Sequence, residues 1–428
     1  MKQLICLSLV LVLLACENTY EDTHRYSKII TQSKAYPVYL DMTDVAKIEV
    51  KADSPLTSPF KILSNSSHYF VGEKMKGVHV YERKAAGVSY LCFIECLYIK
   101  DFELIDHRLY CNNLTDLVVI DVSNPLQINL LYRWPYKFNS FTSYKTSWNL
   151  PYTEGKGLIA GSETHHLTGV VTDQQPELDF TEFDQQYANL TTKVVPGSWF
   201  SEHPEKDIPY IGMIRVGTDE IYSYGSYNSW SIWTYRSGNF TGREENLWTT
   251  PRGRYAPPYY YSNAFPVRMF TEDNVIYIVG SENNLNKGYI DCIINDMYPS
   301  AQHLYFSNFK PLDICYMPGM NAFLVLSGTS VWRVDISGDG VSGYTKTYTD
   351  CQIATDATEM FRAGNQLVTL GNDLTVYADT GNEITLLKKY PGISAVCSFR
   401  EGQILAAANA QGLFLYDITD LENIQPIP

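Results

Sequence analysis

Between Tyr222 and Phe270 the chain carries Tyr224, Tyr227, Trp230, Trp233, Tyr235, Trp248, Tyr255, Tyr259, Tyr260 and Tyr261, interrupted by Arg252, Arg254, Pro257 and Pro258. Rigid rings with polar tips make good contact surfaces, and sugar rings stack on such faces. Aromatics set beside Pro and Gly are poor at building regular core strands. Trp248, Tyr255, Tyr259, Tyr260 and Tyr261, with Trp230 and Trp233, are therefore the expected ligand-binding residues. The competing reading makes the whole group strand core, as alternation suggests for Tyr222 and Tyr224.

Catalytic signatures are absent: the chain has no Gly-x-Ser-x-Gly elbow, His-Glu-x-x-His pair, Gly-rich phosphate loop or Cys-x-x-Cys. Asp335-Ile336-Ser337-Gly338-Asp339-Gly340 begins like a calcium loop, but its twelfth position is Lys346, where a bidentate Glu is required. His165 and His166 are adjacent, so on a strand they point to opposite faces and do not share one ion with Glu163 and His203. Cys92 and Cys96 lack a second pair at zinc-site spacing. No catalytic residue, metal or cofactor is expected. Carboxylates are numerous enough to form a glycosidase pair, which only their separation in space decides.

The formal charge of -14 over 428 residues disfavours nucleic acid, whose affinity comes mostly from clustered Lys and Arg on phosphates. Hydrophobic residues make up 45% of the chain, enough for a sizeable core. Cys92, Cys96, Cys111, Cys292, Cys315, Cys351 and Cys397 are scattered, most of them in apolar runs where cysteine acts as a small hydrophobe. A disulfide framework is not expected.

Repeats set the fold class. His68 to Ala85 aligns without a gap to Arg108 to Pro125, and the same two-strand phrase returns from Gln403 to Asp420. Weaker copies start near Glu220, Asn274, Asn321 and Asn365. A repeat of about 40 residues with four short strands predicts an all-β chain folded as a single β-propeller of seven blades. In the second repeat the strands are expected at Asp101 to Ile105, Arg108 to Cys111, Leu117 to Val122 and Ile128 to Tyr132. The N-terminal strand Val45 to Lys51 is expected to complete the last blade and close the ring. Residues 135 to about 215 read as an insertion after the second repeat, in which Lys156 to Glu163 adds a strand.

Asp116-Leu-Val-Val-Ile-Asp-Val-Ser-Asn-Pro125 resembles the LVIVD repeat, and the stretch 59 to 134 looks like the start of LVIVD-repeat lipoproteins of Bacteroidetes-type bacteria. The resemblance is good again at 402 to 420 and diffuse elsewhere. It implies a propeller and no particular activity. The Ser-x-Asp-x-Gly-x-x-Trp box of sialidase-type propellers is absent.

Lys2, the apolar run Leu4 to Leu14 and then Leu13-Leu14-Ala15-Cys16 resemble the lipobox of bacterial lipoproteins, with Cys16 as the lipidated first mature residue. The run is shorter than the ~20 apolar residues of a membrane span. Glu17, Glu21 and Asp22 resemble the acidic export signal of surface lipoproteins in the same bacteria. The expected layout is a signal peptide at 1–15, a polar tether at 16–35 and a propeller at 36–428, held at the outer membrane by lipid on Cys16 and exposed at the surface. The leading functional expectation is a non-catalytic module that binds a glycan or an envelope protein. A polysaccharide hydrolase or lyase, and a structural subunit of an outer-membrane assembly, are the alternatives.

Overall fold

The structure is a computed structural model. It describes residues 27–85, 87–114, 116–135, 152–153, 157–188, 194–195, 211–216, 220–225, 229–236, 239–246, 264–272, 275–282, 287–294, 303–337 and 345–428. Strand β1 (Ser27–Leu40) leads to the short helix α1 (Met42–Ala46), capped by Asp41, whose carboxylate accepts from the Thr43 and Asp44 amides. After β2 (Ile48–Lys51) the first antiparallel meander runs β3 (Pro59–Ser64), β4 (His68–Glu73), β5 (Gly77–Lys84) and β6 (Gly87–Cys96). The second runs β7 (Phe102–Ile105), β8 (Arg108–Asn113), β9 (Asp116–Asp121) and β10 (Asn129–Trp134), close to the four strands expected from sequence.

Then come β11 (Tyr152–Thr153), β12 (Gly157–Thr172), helix α2 (Thr181–Ala188) and β13 (Val194–Val195). Meanders resume from β14 (Ile211–Val216) to β17 (Asn239–Asn246), and from β18 (Ala264–Glu272) through β19 (Val275–Glu282) to β21 (His303–Phe306). The next is β22 (Pro311–Met317) to β25 (Thr345–Ala354), followed by β26 (Glu359–Ala363), β27 (Gln366–Leu370), β28 (Asp373–Asp379) and β29 (Ile384–Pro391). The last is β30 (Cys397–Glu401), β31 (Ile404–Asn409), β32 (Gly412–Asp417) and β33 (Gln425–Ile427). First strands of successive meanders lie side by side: β3 by β7, β7 by β14, β14 by β18, β22 by β26, and β30 back against β3. The sheets therefore radiate from a shared axis, and the chain is an all-β single β-propeller. Against the expected seven blades, six have described side-chain cores; the β14–β17 meander is described through Gly212–Arg215 and Ile221 and otherwise by its backbone.

Successive side chains of a strand point to opposite faces, and here both faces are covered. Val118 and Ile120 of β9 pack with Phe70, Val78 and Ile94 of the preceding blade. Leu117 and Val119 pack instead with Met213 and Ile221 of the following one. Likewise Leu367 joins the core shared with β22–β25, while Val368 and Leu370 join the core shared with the last blade. A strand covered on both sides needs an unbroken apolar run, which is the physical content of Leu-Val-Val-Ile at 117–120. The six described cysteines are free, and Cys96 and Cys111 meet at 3.7 Å within the first of these cores.

Two sequence expectations are corrected. The stretch expected to complete the last blade does not reach it: Val45 lies in α1, and β2 pairs with β6 through Ile48↔Cys96 to Lys51↔Phe93, adding a fifth strand to the first blade. The last blade has its own outer strand, β33, on β32. The ring closes through side chains instead, where Ile62, Tyr69, Val71 and Tyr81 pack against Cys397, Ala406, Ala408, Leu413 and Leu415. Second, the polar tether expected through residue 35 is strand from Ser27 onward. β1 pairs with β12 from Ser27↔Thr172 to Tyr39↔Ile159, making with α2 a small unit whose described residues are 27–39, 159–188 and 194. Within it Asp184 accepts from Lys34 Nζ at 2.6 Å and from the Tyr36 hydroxyl at 2.9 Å.

Phe70 is fully buried between the first two blades. Phe70→Ala is expected to destabilise the fold by about 3–5 kcal/mol, measured by urea denaturation.

Candidate functional site

Trp248, Tyr255, Tyr259, Tyr260 and Tyr261 lie outside the described residues, as does Cys16. Trp230 and Trp233 lie on the third strand of the β14–β17 meander, Ser229–Arg236, in register with Tyr224 and Ile221. His165 and His166 do part to different neighbours: His165 packs on Phe183 at 4.2 Å, and His166 Nδ1 meets the Ser33 hydroxyl at 2.6 Å. His203 is outside the described residues. Asp335, first position of the calcium-like loop, is held by Arg333 at 2.8–3.0 Å. Among the described residues no group of three or more His, Cys, Asp or Glu is placed to hold a metal ion.

Two buried ionic networks join inner strands. Lys61 of β3 donates to Asp101 at 2.9 Å, to Glu103 of β7 at 2.6 Å and to the Met213 carbonyl of β14 at 2.8 Å. Asp101 also accepts from the Phe102 and Met213 amides. Arg268 of β18 repeats the device, donating to Asp313 of β22 at 3.0 Å and to Glu359 of β26 at 3.1 Å. Asp313 accepts from the Ile314 and Met360 amides, and Glu359 from the Ser398 hydroxyl of β30. Each network thus ties three or more blades at their inner strands. One cation serves two carboxylates in each, so burial prevails over the cation's pull and all four carboxyls are raised above their ordinary range. Burial opposes the charge on Lys61, but Asp101 and Glu103 together outweigh it and its pKa is raised.

A cleft of about 360 Å³ opens where the first blade meets the last. It is lined by Asp53, Ser54 and Leu56 before β3, His79 and Tyr81 of β5, Val88 and Tyr90 of β6, and Ala410 to Phe414 around the β31–β32 turn. In a meander the approach to the first strand and the turn between the second and third share one end, which brings the 53–56 and 410–414 segments to the same rim. Tyr90 and Phe414 are each 37% exposed, and the Tyr81 and Tyr90 rings meet edge to face at 5.4 Å.

His79 is fully buried, 4.7 Å from the Phe93 ring, and neither imidazole nitrogen has a hydrogen-bond partner. Glu73 lies 4.0 Å away, too far for a hydrogen bond, and its oxygens are taken by the Thr57 and Ser58 amides and the Thr57 hydroxyl. Burial lowers the His79 pKa to about 4, against the opposing pull of Glu73 and Asp53, so the ring is neutral at ordinary pH. Burial likewise pushes the Tyr81 and Tyr90 hydroxyls up to about 12. The cleft wall thus carries the Tyr81, Tyr90 and Phe414 rings, a neutral imidazole and one carboxylate, Asp53. His79 is not among the residues whose type or spacing marks a site in the sequence. The signal was present: in the repeat alignment it occupies the place of Val119 and Leu415, both buried apolar residues.

The topology places the chain in the class of β-propellers. No family model matches the chain, and no curated protein matches it. Among solved structures it is similar to a Dos1 propeller, at 11% identity over 90% of this chain and 88% of that one, with a TM-score of 0.45. It is also similar to the WD40 β-propeller domain of Doa1, at 9% identity over 86% of this chain and 96% of that one, with a TM-score of 0.41.

Lys61→Met leaves two buried carboxylates without their cation and is expected to cost about 3–5 kcal/mol at neutral pH, read from urea midpoints. A raised carboxyl binds its proton more tightly in the folded state, so acidification favours folding at these sites. The deficit of the variant against the parent should therefore shrink as pH falls from 7 towards the carboxyl range. A deficit that grows on acidification would contradict this account.

Proposed function

We propose that this chain is a lipid-anchored, non-catalytic binding module of the bacterial cell envelope, a β-propeller of the LVIVD-repeat kind whose ligand is a glycan or an envelope protein. The anchor rests on the lipobox at Leu13-Leu14-Ala15-Cys16, and the repeat assignment on residues 59–134 and 402–420. The observation that carries the binding reading is the cleft at the ring closure, with the exposed aromatic faces of Tyr90 and Phe414. Concave pockets of roughly 300–1,000 Å³ with apolar walls and a few polar groups are the usual form of a small-ligand site.

The polysaccharide-hydrolase reading draws on the raised carboxyls of Asp101, Glu103, Asp313 and Glu359. Asp101 and Asp313 each receive two backbone amides and a cation, and Glu359 a cation and a hydroxyl. Groups so occupied suit holding inner strands together better than proton transfer to a substrate, and this favours the binding reading.

Full-length chain probed on glycan arrays and in pull-downs from envelope extracts should retain a defined glycan or protein. Phe414→Ala and Tyr90→Ala should weaken that binding by roughly 10-fold or more. Alanine at Trp248 and Tyr259–Tyr261 tests the aromatic segment in parallel. Retention unaffected at the cleft but lost in the segment variants would move the site there. Release of sugar products during the assay would overturn the non-catalytic reading.

A further inference from the structure

The groups that a ligand can reach in the cleft narrow its class, on the premise of the binding reading above. His79 is fully buried with both nitrogens closed to solvent, so it offers a ligand no hydrogen bond. The Tyr90 hydroxyl already accepts from the Ser54 amide. What remains in reach is the exposed part of Tyr90 and Phe414, the half-buried apolar side chains of Leu56 and Val88, and the exposed Asp53. Sugars and cations both lie well on aromatic faces, and charge decides between them. Asp53 is the one charged residue of the lining, which holds no Lys or Arg. Its field reaches the wall, since it acts on both the Tyr90 hydroxyl and His79. Behind the wall Glu73 acts on His79 and Tyr81, and Lys76 opposes it from 3.5 Å away, so these two offset each other and Asp53 sets the sign. On a chain of net charge -14 such a cleft draws cations and turns anions away.

We propose that the cleft at the ring closure captures one basic side chain, Lys or Arg, presented by an envelope protein, with its stem along Leu56 and Val88 and its charged head between Asp53 and the Tyr90 ring. The apolar flank is what selects a cation carried on an aliphatic stem over a bare inorganic ion, because Lys and Arg bury their methylenes while the head stays at a polar or aromatic surface. A volume of about 360 Å³ has room for one such side chain. Both recognition elements are exposed in the free chain, so the partner reaches them without opening the seam between the first and last blades. Recognition then depends on charge and on an aromatic ring, and each is removable separately.

The test titrates the full-length chain with N-acetyl-arginine methylamide and N-acetyl-lysine methylamide. The citrulline analogue serves as the neutral control of equal length, the glutamate analogue as the anion, and methyl glycosides of neutral hexoses as the sugar arm. Binding is read from the ring resonances of ¹³C-labelled tyrosine, with Tyr90 assigned by its loss in Tyr90→Phe. A basic probe is expected to shift Tyr90, to bind roughly 3-fold or more tighter than citrulline, and to weaken as salt rises. Asp53→Asn and Tyr90→Leu should each weaken it by roughly 2- to 5-fold, whereas Tyr90→Phe keeps the ring and the affinity. Thermal melting shows whether the variants fold, and the charge selectivity and salt dependence of the parent chain stand whatever they do. Citrulline, glutamate or a glycoside shifting Tyr90 at equal or lower concentration overturns this proposal while sparing the binding reading. Absence of a Tyr90 shift with both basic probes, or affinity unchanged in a folded Asp53→Asn, also overturns it. Failure to retain any glycan or envelope protein overturns both.

Discussion

The propeller depends on the fact that its blades, where their side chains are described, carry two apolar faces. A sheet in a two-layer protein hides one side and wets the other, but here Leu117 and Val119 look one way while Val118 and Ile120 look the other, and all four are buried. A row of such sheets has two raw ends. The first blade would expose Tyr69, Val71 and Tyr81, and the last would expose Ala406, Ala408, Leu413 and Leu415, unless the ends meet. At roughly 25 cal/mol per Å² of apolar surface, leaving both ends in water carries a hydrophobic penalty that closure removes. Ring closure is thus forced by the sequence of the faces, and no shared strand is needed to secure it. Arg83 adds a surface clasp, lying over the Tyr69 ring at 4.1 Å and pairing with Glu401 of the last blade.

The inner strands pose the opposite problem, because they converge at the axis where space for apolar side chains narrows. Lys61 and Arg268 are placed there to bridge carboxylates on following blades. Ion pairs of this sort contribute little net stability once desolvation is counted, yet they are exacting about geometry. Asp101 and Asp313 show what that geometry specifies. Each binds the amide after itself and an amide on the next inner strand, Met213 or Met360, so each sets one strand's height against its neighbour's. Apolar packing alone tolerates sliding along the strand direction; these hydrogen bonds do not.

How much of this the sequence disclosed follows from the same physics. The two middle strands of a blade are covered on both faces, so Leu117 to Ile120, Leu367 to Leu370 and Leu405 to Ala408 stand out as apolar runs, and the repeat is legible through them. Outer strands touch solvent and lose the signal: Asn129 to Tyr132 and Thr385 to Lys389 are exposed. Hence β2 was misassigned, since a short edge strand carries no mark of which blade it joins. β1 was hidden for a related reason. Its partner β12 lies more than a hundred residues away, and its polar residues Thr31, Ser33 and Lys34 pair with Thr168, His166 and Asp184 rather than with a hydrophobic face. The cleft was legible in part. Its histidine breaks a repeat position that is otherwise Val119 or Leu415, but the segments that enclose it, 53–56 and 410–414, are brought together only by closure.

That break in pattern has an energetic meaning. A buried imidazole with neither nitrogen satisfied costs roughly 1–3 kcal/mol, and an aliphatic residue in its place would complete the seam as it does in the other repeats. The Tyr69 hydroxyl and Arg83 Nε, also without partners, belong to the same blade. Buried polar groups are mostly paired in folded proteins, and among the described residues Trp332 Nε1 of another blade shares the condition, so this cost is not confined to the ring closure. His79 is thus a cost carried at the seam where the first blade meets the last, offset by the apolar contacts of Tyr69, Val71 and Tyr81 with Leu413 and Leu415 that close the ring.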